Sequence, residues 1–581
     1  MISSEPQITP RPRPRLRLRR LLLPTMVAAL SLPSLAQPAP PARPGQGWLG
    51  AQEARADLRQ LQMDLEATHP DPFLRSGGMV AFRKRFAEAQ AAIPAGGIER
   101  RGFERLLRPL VAQVGDGHTK LDQDSVGTDA QVLVDLAPVE GRLVVTAVYD
   151  PAQLGWVGAT VQSIEDVPLA ALTERMGARA GYENVYTNLE HLVEAAASSR
   201  QLADLLDRPA LTGSVAFQVL LPSGESATLR APLRAGGPTP RLTPPSRLKL
   251  PTLDGSGMAA GFLDDAGHVG YFRLDSSMRY REAFEVWRLT GLDQGDWLDQ
   301  VVERVTGRKA SGSEAQKLAQ VPSVTERLMA LFKDMKARRT PTLIVDLREN
   351  PGGQSVFADI LEYFLYPLDT IVAVDHGYQV PRFSALYFKD HSADTLDKVR
   401  ARTTPEFQVG DLDFTGMDQW RHQHAVPPSP AELKRLGQDY LEQLRGLPTF
   451  AKALDKGGWN AAWTPRVVVL TSGRTYSAAF DAVLQLRAHG AAVVGVPSSQ
   501  AANCFIDTIG FQLAHSHLTG SISFKWSVGL PQDPKNGTIL QPDRELTYAD
   551  DRAFQFDPNA TILLAMHDLS SHKPVSTEGR P

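Results

Sequence analysis

A single cysteine, Cys504, stands in a chain of 581 residues, so no internal disulfide can form and stability must come from packing. Cys504 itself reads either as a reactive thiol or as a small buried side chain in Ala501-Ala502-Asn503-Cys504-Phe505. Net basic charge is also missing. Sixty-two Lys and Arg stand against 65 Asp and Glu, a formal charge of −3, and nucleic acid is not an expected partner. Long apolar runs are absent beyond residue 36, which argues against stable membrane insertion of the mature chain. Heptad runs and internal repeats are absent too, which removes coiled coils and solenoids. With 42% hydrophobic and 22% charged residues, what remains is an ordinary globular protein large enough for several domains.

The first residues stand apart. Arg11, Arg13, Arg15, Arg17, Arg19 and Arg20 precede the apolar run 21–35, the pattern of an export signal. Ser34 and Ala36 suit the subsites of a signal peptidase cutting after Ala36. The alternatives are an N-terminal anchor, against which Pro24 and Pro33 interrupt the run, and a twin-arginine signal at Arg19-Arg20. Cleavage would remove six arginines and one glutamate and move the formal charge to −8. The mature protein is expected in the periplasm or outside the cell.

Beyond a proline-rich linker, apolar residues recur at helical spacing: Leu58, Leu61, Leu65, then Phe82 and Phe86, then Phe103, Leu107 and Leu110. Three helices are predicted, ending in Gly115-Asp116-Gly117-His118-Thr119. From 132 to 242 short strands alternate with one or two helices, a compact module with a hairpin around Pro222-Ser223-Gly224. The strand-like runs 342–347, 466–470 and 491–495, with a helix at 478–486 between the last two, predict a layered α/β domain. Residues 379–462 interrupt it as an insertion or lid.

Three peptides could carry chemistry. In Asp346-Leu347-Arg348-Glu349-Asn350-Pro351-Gly352-Gly353 the glycines could present backbone N–H groups as an oxyanion hole, or form a plain type II turn. Ser477, at a strand-to-helix turn before Ala478 and Ala479, is either a helix cap or a nucleophile whose neighbour Ala478 offers an unpaired N–H. No Gly-x-Ser-x-Gly elbow surrounds it, which disfavours the α/β-hydrolase arrangement. His118, the best placed of 13 histidines, is a general base or a structural side chain. The pairs His422/His424 and His515/His517 would share strand faces but have no companion at metal-site spacing, so neither metal nor cofactor is expected.

Together these peptides resemble the S41 peptidases, the C-terminal processing and tricorn-like serine proteases, with Gly270-Tyr271-Phe272-Arg273 and Gln541-Pro542-Asp543 as further matches. The resemblance spans residues 50–565. It implies a crotonase-like (ClpP-type) α/β protease core with an N-terminal helical region and a PDZ-like α+β module. The implied division is a signal peptide at 1–36, linker 37–48, helical region 49–115, PDZ-like module 116–250, core 251–378, insertion or lid 379–462, and core 463–581.

Ser477 matches the nucleophile, and Gly352, with Gly353 and Ala478, the oxyanion donors. The bacterial processing branch carries a lysine about 25 positions after the serine. The segment 496–504 holds none, so the likeness is to the histidine branch, with His118 as base. An acidic third member is expected from the C-terminal part, Asp543 first, with Glu545 and the local Asp116 as alternatives. The same segment departs from the usual Glu-Pro-Thr-Gly pattern at Val496 and Ser499. The implied activity is peptide-bond hydrolysis in exported proteins or peptides. A weak or inactive peptide-binding protein of this fold and a small-molecule esterase or amidase are the alternatives.

Overall fold

The computed structural model describes residues 47–122, 129–237, 239–292, 294–457, 459 and 464–571. The export signal and nearly all of the linker lie outside the described residues. Among those described, no helix is long and apolar enough to cross a membrane.

Helices α1 (Ala51–Thr68), α2 (Met79–Ala92) and α3 (Arg100–Ala112) pack through Leu58, Leu61, Phe82, Phe86, Phe103 and Leu107. Each large apolar side chain sealed in this way contributes about 1.5–3 kcal/mol of transfer free energy. The chain leaves α3 through the Gly115 to Thr119 turn into the two-residue strand Lys120–Leu121.

A second unit is a seven-stranded sheet with helices against it. It contains β1 (Val134–Val139), β2 (Arg142–Val148), β3 (Thr160–Ile164), α4 (Leu169–Gly177), α5 (Val185–Ala197), β4 (Ser214–Leu220) and β5 (Ser226–Arg234). Its order is Gln131–Val132, β5, β4, β3, β2, β1, with Val167–Pro168 beside β3. Alternate residues of β4, Val215, Phe217 and Val219, point into its own core, as the period of a half-buried strand requires.

The main domain is built on a six-stranded sheet. β6 (Met258–Phe262) is its antiparallel edge, followed in space by β7 (Val269–Leu274), β8 (Thr342–Asp346), β9 (Arg466–Thr471), β10 (Ala492–Gly495) and the short β11 (Arg544–Glu545), all parallel. Helices α6 (Val324–Arg338), α7 (Val356–Leu365) and α8 (Ala478–Ala488) bury Phe332, Phe357, Phe364, Phe480 and Val483 in the largest core cluster, together with Leu343, Val345 and Val469 from the sheet. Asp346 of β8 pairs with Leu470 of β9, so the turns after these two strands leave the same sheet edge side by side. Ligands bind at that edge in open parallel sheets.

A smaller four-stranded sheet contains the hairpin β12 (Asn503–Gln512) and β13 (Thr519–Val528), with Tyr378–Pro381 and Lys120–Leu121 each pairing β13. That last pairing carries the His118 turn across about 400 residues of sequence.

The segment 379–462, expected as an insertion or lid, falls between β8 and β9 in the chain. Its helices Pro430–Arg445 and Pro448–Gly457 insert Tyr440, Leu444 and Phe450 into the main core, where Phe450 meets Tyr363 edge-on at 5.1 Å. Among the described residues of this segment, only Lys389 lines the large cavity described below. The helices Arg281–Thr290 and Trp297–Thr306 are separate because Gly291, at φ 73°, caps the first.

Candidate active site

Ser477 caps α8 with φ 52° and ψ −129°, a conformation costly for a residue with a Cβ. Its N–H donates to Gln500 Oε1. Gly352 is pressed against it: a Cβ there would come within 2.5 Å of Ser477 Cβ and 2.7 Å of the Tyr476 carbonyl, so this position admits only glycine. The turn carrying Gly352 is fixed by buried Asn350. Its Oδ1 accepts from Ser277 N at 3.1 Å and Gly352 N at 2.9 Å, and its carbonyl accepts from Tyr476 N at 3.1 Å. Asp346 ties the strand end down through Arg348 (Nε 2.9 Å, Nη2 2.8 Å) and Tyr271 Oη at 2.7 Å. Burial opposes ionisation of Asp346, but the Arg348 guanidinium outweighs it and brings the carboxyl to about 2.

Of the expected oxyanion donors, Gly352 abuts Ser477 and Ala478, while Gly353 packs against Ser277 and Met278. Among the described residues, the N–H groups of Gly353 and Ala478 have no acceptor, whereas that of Gly352 is committed to Asn350. The free pair is Gly353 with Ala478.

His118 is buried in the same region. Its ring stacks on Tyr476, centroids 4.6 Å apart, and its Nδ1 lies 3.0 Å from Tyr476 Oη. The Gly-Asp-Gly lead-in is explained by contact: a Cβ on Gly117 would meet Tyr476 Oη at 2.5 Å. Ser521 Oγ donates to the His118 carbonyl at 2.8 Å, so β13 holds the turn. His118 Nε2 is buried with no hydrogen-bond partner, and no hydrogen bond joins Ser477 to His118 among the described residues.

Asp116 and Asp543, two of the acidic candidates, have other work. Asp116 accepts from His118 N at 2.9 Å, Thr119 N at 3.1 Å, Thr119 Oγ1 at 2.5 Å and Ser523 Oγ at 2.6 Å, so it shapes the turn. Burial again opposes its charge, but His69, His118 and Ser523 hold the carboxyl down at about 2. Asp543 accepts from Val493 N at 2.9 Å, near the start of β10. Val493 pairs with Val469, level with the middle of β9, and among the described residues no contact joins Asp543 to His118 or Ser477. Glu545, at the far side of β10, receives the Tyr186 hydroxyl at 3.4 Å.

Asp116 Oδ1 lies 3.9 Å from His118 Nδ1, but the nearer carboxylate is Glu183, which was not among the residues expected from sequence. Glu183 Oε1 lies 3.5 Å from His118 Nδ1 and accepts from Tyr476 Oη at 2.9 Å and Gly117 N at 3.2 Å. It follows α4 in the second unit, 65 positions from His118, where no motif marks it. Burial works to lower the His118 pKa, but the hydrogen bond and charge of Glu183, with the charges of Asp116 and Asp507, outweigh it and raise the value above the usual one. Asp116, His118 and Glu183 also place one ligand atom each within 4.8 Å of the others. Asp116 is filled by hydrogen donors, so the three do not make an open metal site.

His422 and His424 lie on the helix Thr415–Ala425, not on a strand, and His515 and His517 lie in the turn of the β12–β13 hairpin. Cys504 is buried, and burial raises its thiol well above the ordinary range, so the small-side-chain alternative applies. The atypical segment 496–502 is buried beneath the Ser477 turn, with Gln500 as its contact to the serine. A cavity of about 2610 Å³ opens among the helical region, the second unit and the main sheet; its lining includes Gly117, Pro351, Tyr476 and Ser499 but not Ser477 or His118.

Residues 314–505 match the family model described as Peptidase family S41. No curated protein matches the chain. Among solved structures, mature CPAF complexed with lactacystin aligns at TM-score 0.53 and 12% identity, over 90% of this chain and 99% of that one. A second structure of mature CPAF gives the same values. The photosystem II D1 C-terminal processing protease aligns at TM-score 0.37 and 12% identity, over 86% and 94%. At this identity the likeness to mature CPAF is one of fold.

Proposed function

We propose that this chain, a serine-type peptidase by its match to Peptidase family S41, hydrolyses peptide bonds through a Ser477 acyl-enzyme with His118 as base. The observation that carries the reading is the strained Ser477 at the head of α8, between the free amide of Ala478 and Tyr476, whose ring stacks on a buried imidazole with a partnerless Nε2. Ser477 Oγ attacks the scissile carbonyl as His118 Nε2 takes its proton. The amides of Gly353 and Ala478 hold the oxyanion. His118 then protonates the leaving amine as the C–N bond breaks, and water repeats the cycle on the ester. The Ser477 to His118 bond has to form as substrate closes the site, as such bonds commonly do.

The core is of crotonase type and the 116–250 region a PDZ-like module in this reading. The substrate is an exported protein or peptide. Export through the 1–36 segment places the protein in the periplasm or outside the cell. A second reading, an inactive peptide binder of the same fold, is favoured by the commitment of Gly352 N–H to Asn350.

A fluorophosphonate probe decides between them: the first reading expects covalent labelling at Ser477, the second expects none. Ser477→Ala should abolish turnover. His118→Ala should lower kcat by on the order of 10⁴ to 10⁶, and the double variant should be little worse than either. A folded His118→Ala protein keeping more than about a tenth of kcat would remove His118 as base.

A further inference from the structure

We propose that Glu183 is the positioning acid of the site, holding the His118 imidazole in its working tautomer both directly and through the Tyr476 hydroxyl, and that it is delivered by an arm of the second unit. The inference rests on the Ser477–His118 reading and adds the missing acidic member from a part of the chain where none was expected.

The hydrogen bonds have a direction. Tyr476 Oη donates to Glu183 Oε1 at 2.9 Å, so its lone pair faces His118 Nδ1 at 3.0 Å and accepts the Nδ1 proton. Glu183 Oε1 is itself 3.5 Å from Nδ1. A proton fixed on Nδ1 leaves Nε2 as the bare nitrogen, and Nε2 is the ring atom without a partner. A carboxylate here also stabilises the imidazolium formed when Ser477 gives up its proton.

The arm is clamped from several sides. Gly181 lies so close to Asp116 that a Cβ would meet its carbonyl at 2.4 Å. Arg75 Nη1 donates to the carbonyls of Tyr182 at 3.0 Å and Glu183 at 3.3 Å. Asn184 Nδ2 donates to the Ser498 carbonyl at 3.3 Å, and Thr187 Oγ1 donates to the Ser499 carbonyl, in the segment beneath Ser477. The helical region, the second unit and the main domain thus meet on residues 181–187. Glu183 Oε2 is buried without a hydrogen bond, a cost that helix capping does not explain, because Asn184 already caps α5.

The charged and titratable groups around His118 are Glu183 on the arm, Asp116 on its own turn, Tyr476 ahead of α8, Asp481 on α8, and Asp507 on β12, which Lys525 of β13 pairs at 2.6 Å. Removing the Glu183 charge takes away the group that most strongly favours protonated His118. The variant's imidazole should therefore lose its proton at lower pH.

The test measures the second-order rate of Ser477 labelling by a fluorophosphonate against pH, on the full chain, for wild type, Glu183→Gln, Glu183→Asp and Tyr476→Phe, each checked for folding by circular dichroism. Glu183→Gln should lower the plateau rate by about 10- to 100-fold and move the acidic limb to lower pH. Tyr476→Phe, which keeps the direct 3.5 Å contact, should cost less. Glu183→Asp keeps the charge and should hold the limb near its wild-type position. A folded Glu183→Gln protein with an unmoved limb and wild-type plateau overturns the proposal. If Glu183→Gln does not fold, Glu183→Asp and Tyr476→Phe decide instead: a wild-type rate in both overturns the proposal, and a lowered rate with the limb retained in the aspartate variant supports it. Absence of labelling in wild type would instead remove the peptidase reading on which the proposal stands.

Discussion

Replacing Gly352 by alanine should damage stability and chemistry by separable amounts. Gly352 has φ +101°, which for an L side chain costs about 1–3 kcal/mol. The new Cβ would also stand 2.5 Å from Ser477 Cβ, 2.7 Å from Tyr476 O and 3.1 Å from Ala478 N, none of them the end of a flexible side chain. Relieving that overlap adds about 1–3 kcal/mol, for a total of about 2–6 kcal/mol. Gly410 supplies the control: its φ is +97° but no atom lies within 4 Å of its added Cβ, so Gly410→Ala bears the conformational cost alone. The difference between the two urea midpoints, at equal m-value, isolates the contact with the nucleophile. Because the shift falls on Ser477 itself, displacement on the order of 1 Å should slow fluorophosphonate labelling by roughly 10²-fold in Gly352→Ala, while Gly410→Ala labels at the wild-type rate. Equal stability and equal labelling of the two variants would refute the reasoning that the Gly352 turn abuts the nucleophile.

Asp543→Asn should label within about twofold of wild type, because an amide oxygen can still accept from Val493 N and among the described residues no contact joins the group to His118 or Ser477; a tenfold loss would return Asp543 to the site. Acid should weaken the fold through Asp346. Its folded value of about 2 lies below the unfolded one, so its contribution, about 2 kcal/mol, is complete above pH 5 and is lost as pH falls toward 2. Asp346→Asn should be less stable at neutral pH but should show a shallower loss of denaturant midpoint between pH 5 and 2.5. Identical slopes would show that Asp346 does not carry this dependence.

Some of this was legible because the relevant signals are local. The runs 342–347 and 466–470 are short and apolar throughout, as strands covered on both faces must be, and they stand side by side in the parallel sheet. The crowding at Gly117 and Gly352 could be suspected from glycine alone, since few other residues tolerate such close approach. Long-range pairing was not legible. Asp543 matches the end of the family pattern, yet its carboxylate accepts from Val493 N, a pairing across the sheet that a string of residues does not reveal. Glu183 was invisible for the same reason: its partners, Gly117, His118 and Tyr476, come from two distant turns that only the tertiary fold brings together. A long insertion between core strands often covers a site, but at 430–457 Tyr440, Leu444 and Phe450 give their apolar faces to the main core instead.

The strained serine also explains why the segment after β10 can lack the expected motif. Holding Ser477 at φ 52° costs about 1–3 kcal/mol and persists only if neighbouring bonds over-determine it. Those bonds come from both flanking turns: Asn350 O accepts from Tyr476 N at 3.1 Å, Thr475 Oγ1 donates to Leu347 O at 2.9 Å, and Gln500 Oε1 accepts from Ser477 N. At about 1 kcal/mol each, three such bonds are enough to balance the strain. Gln500 is in turn held by its own N–H on Ser498 Oγ at 3.0 Å, so the segment 498–500 works as a brace for the nucleophile. A brace needs hydrogen-bonding side chains at the right height under the turn. It does not need the glutamate or glycine of the usual pattern, and Ser498 and Gln500 meet the requirement by other means.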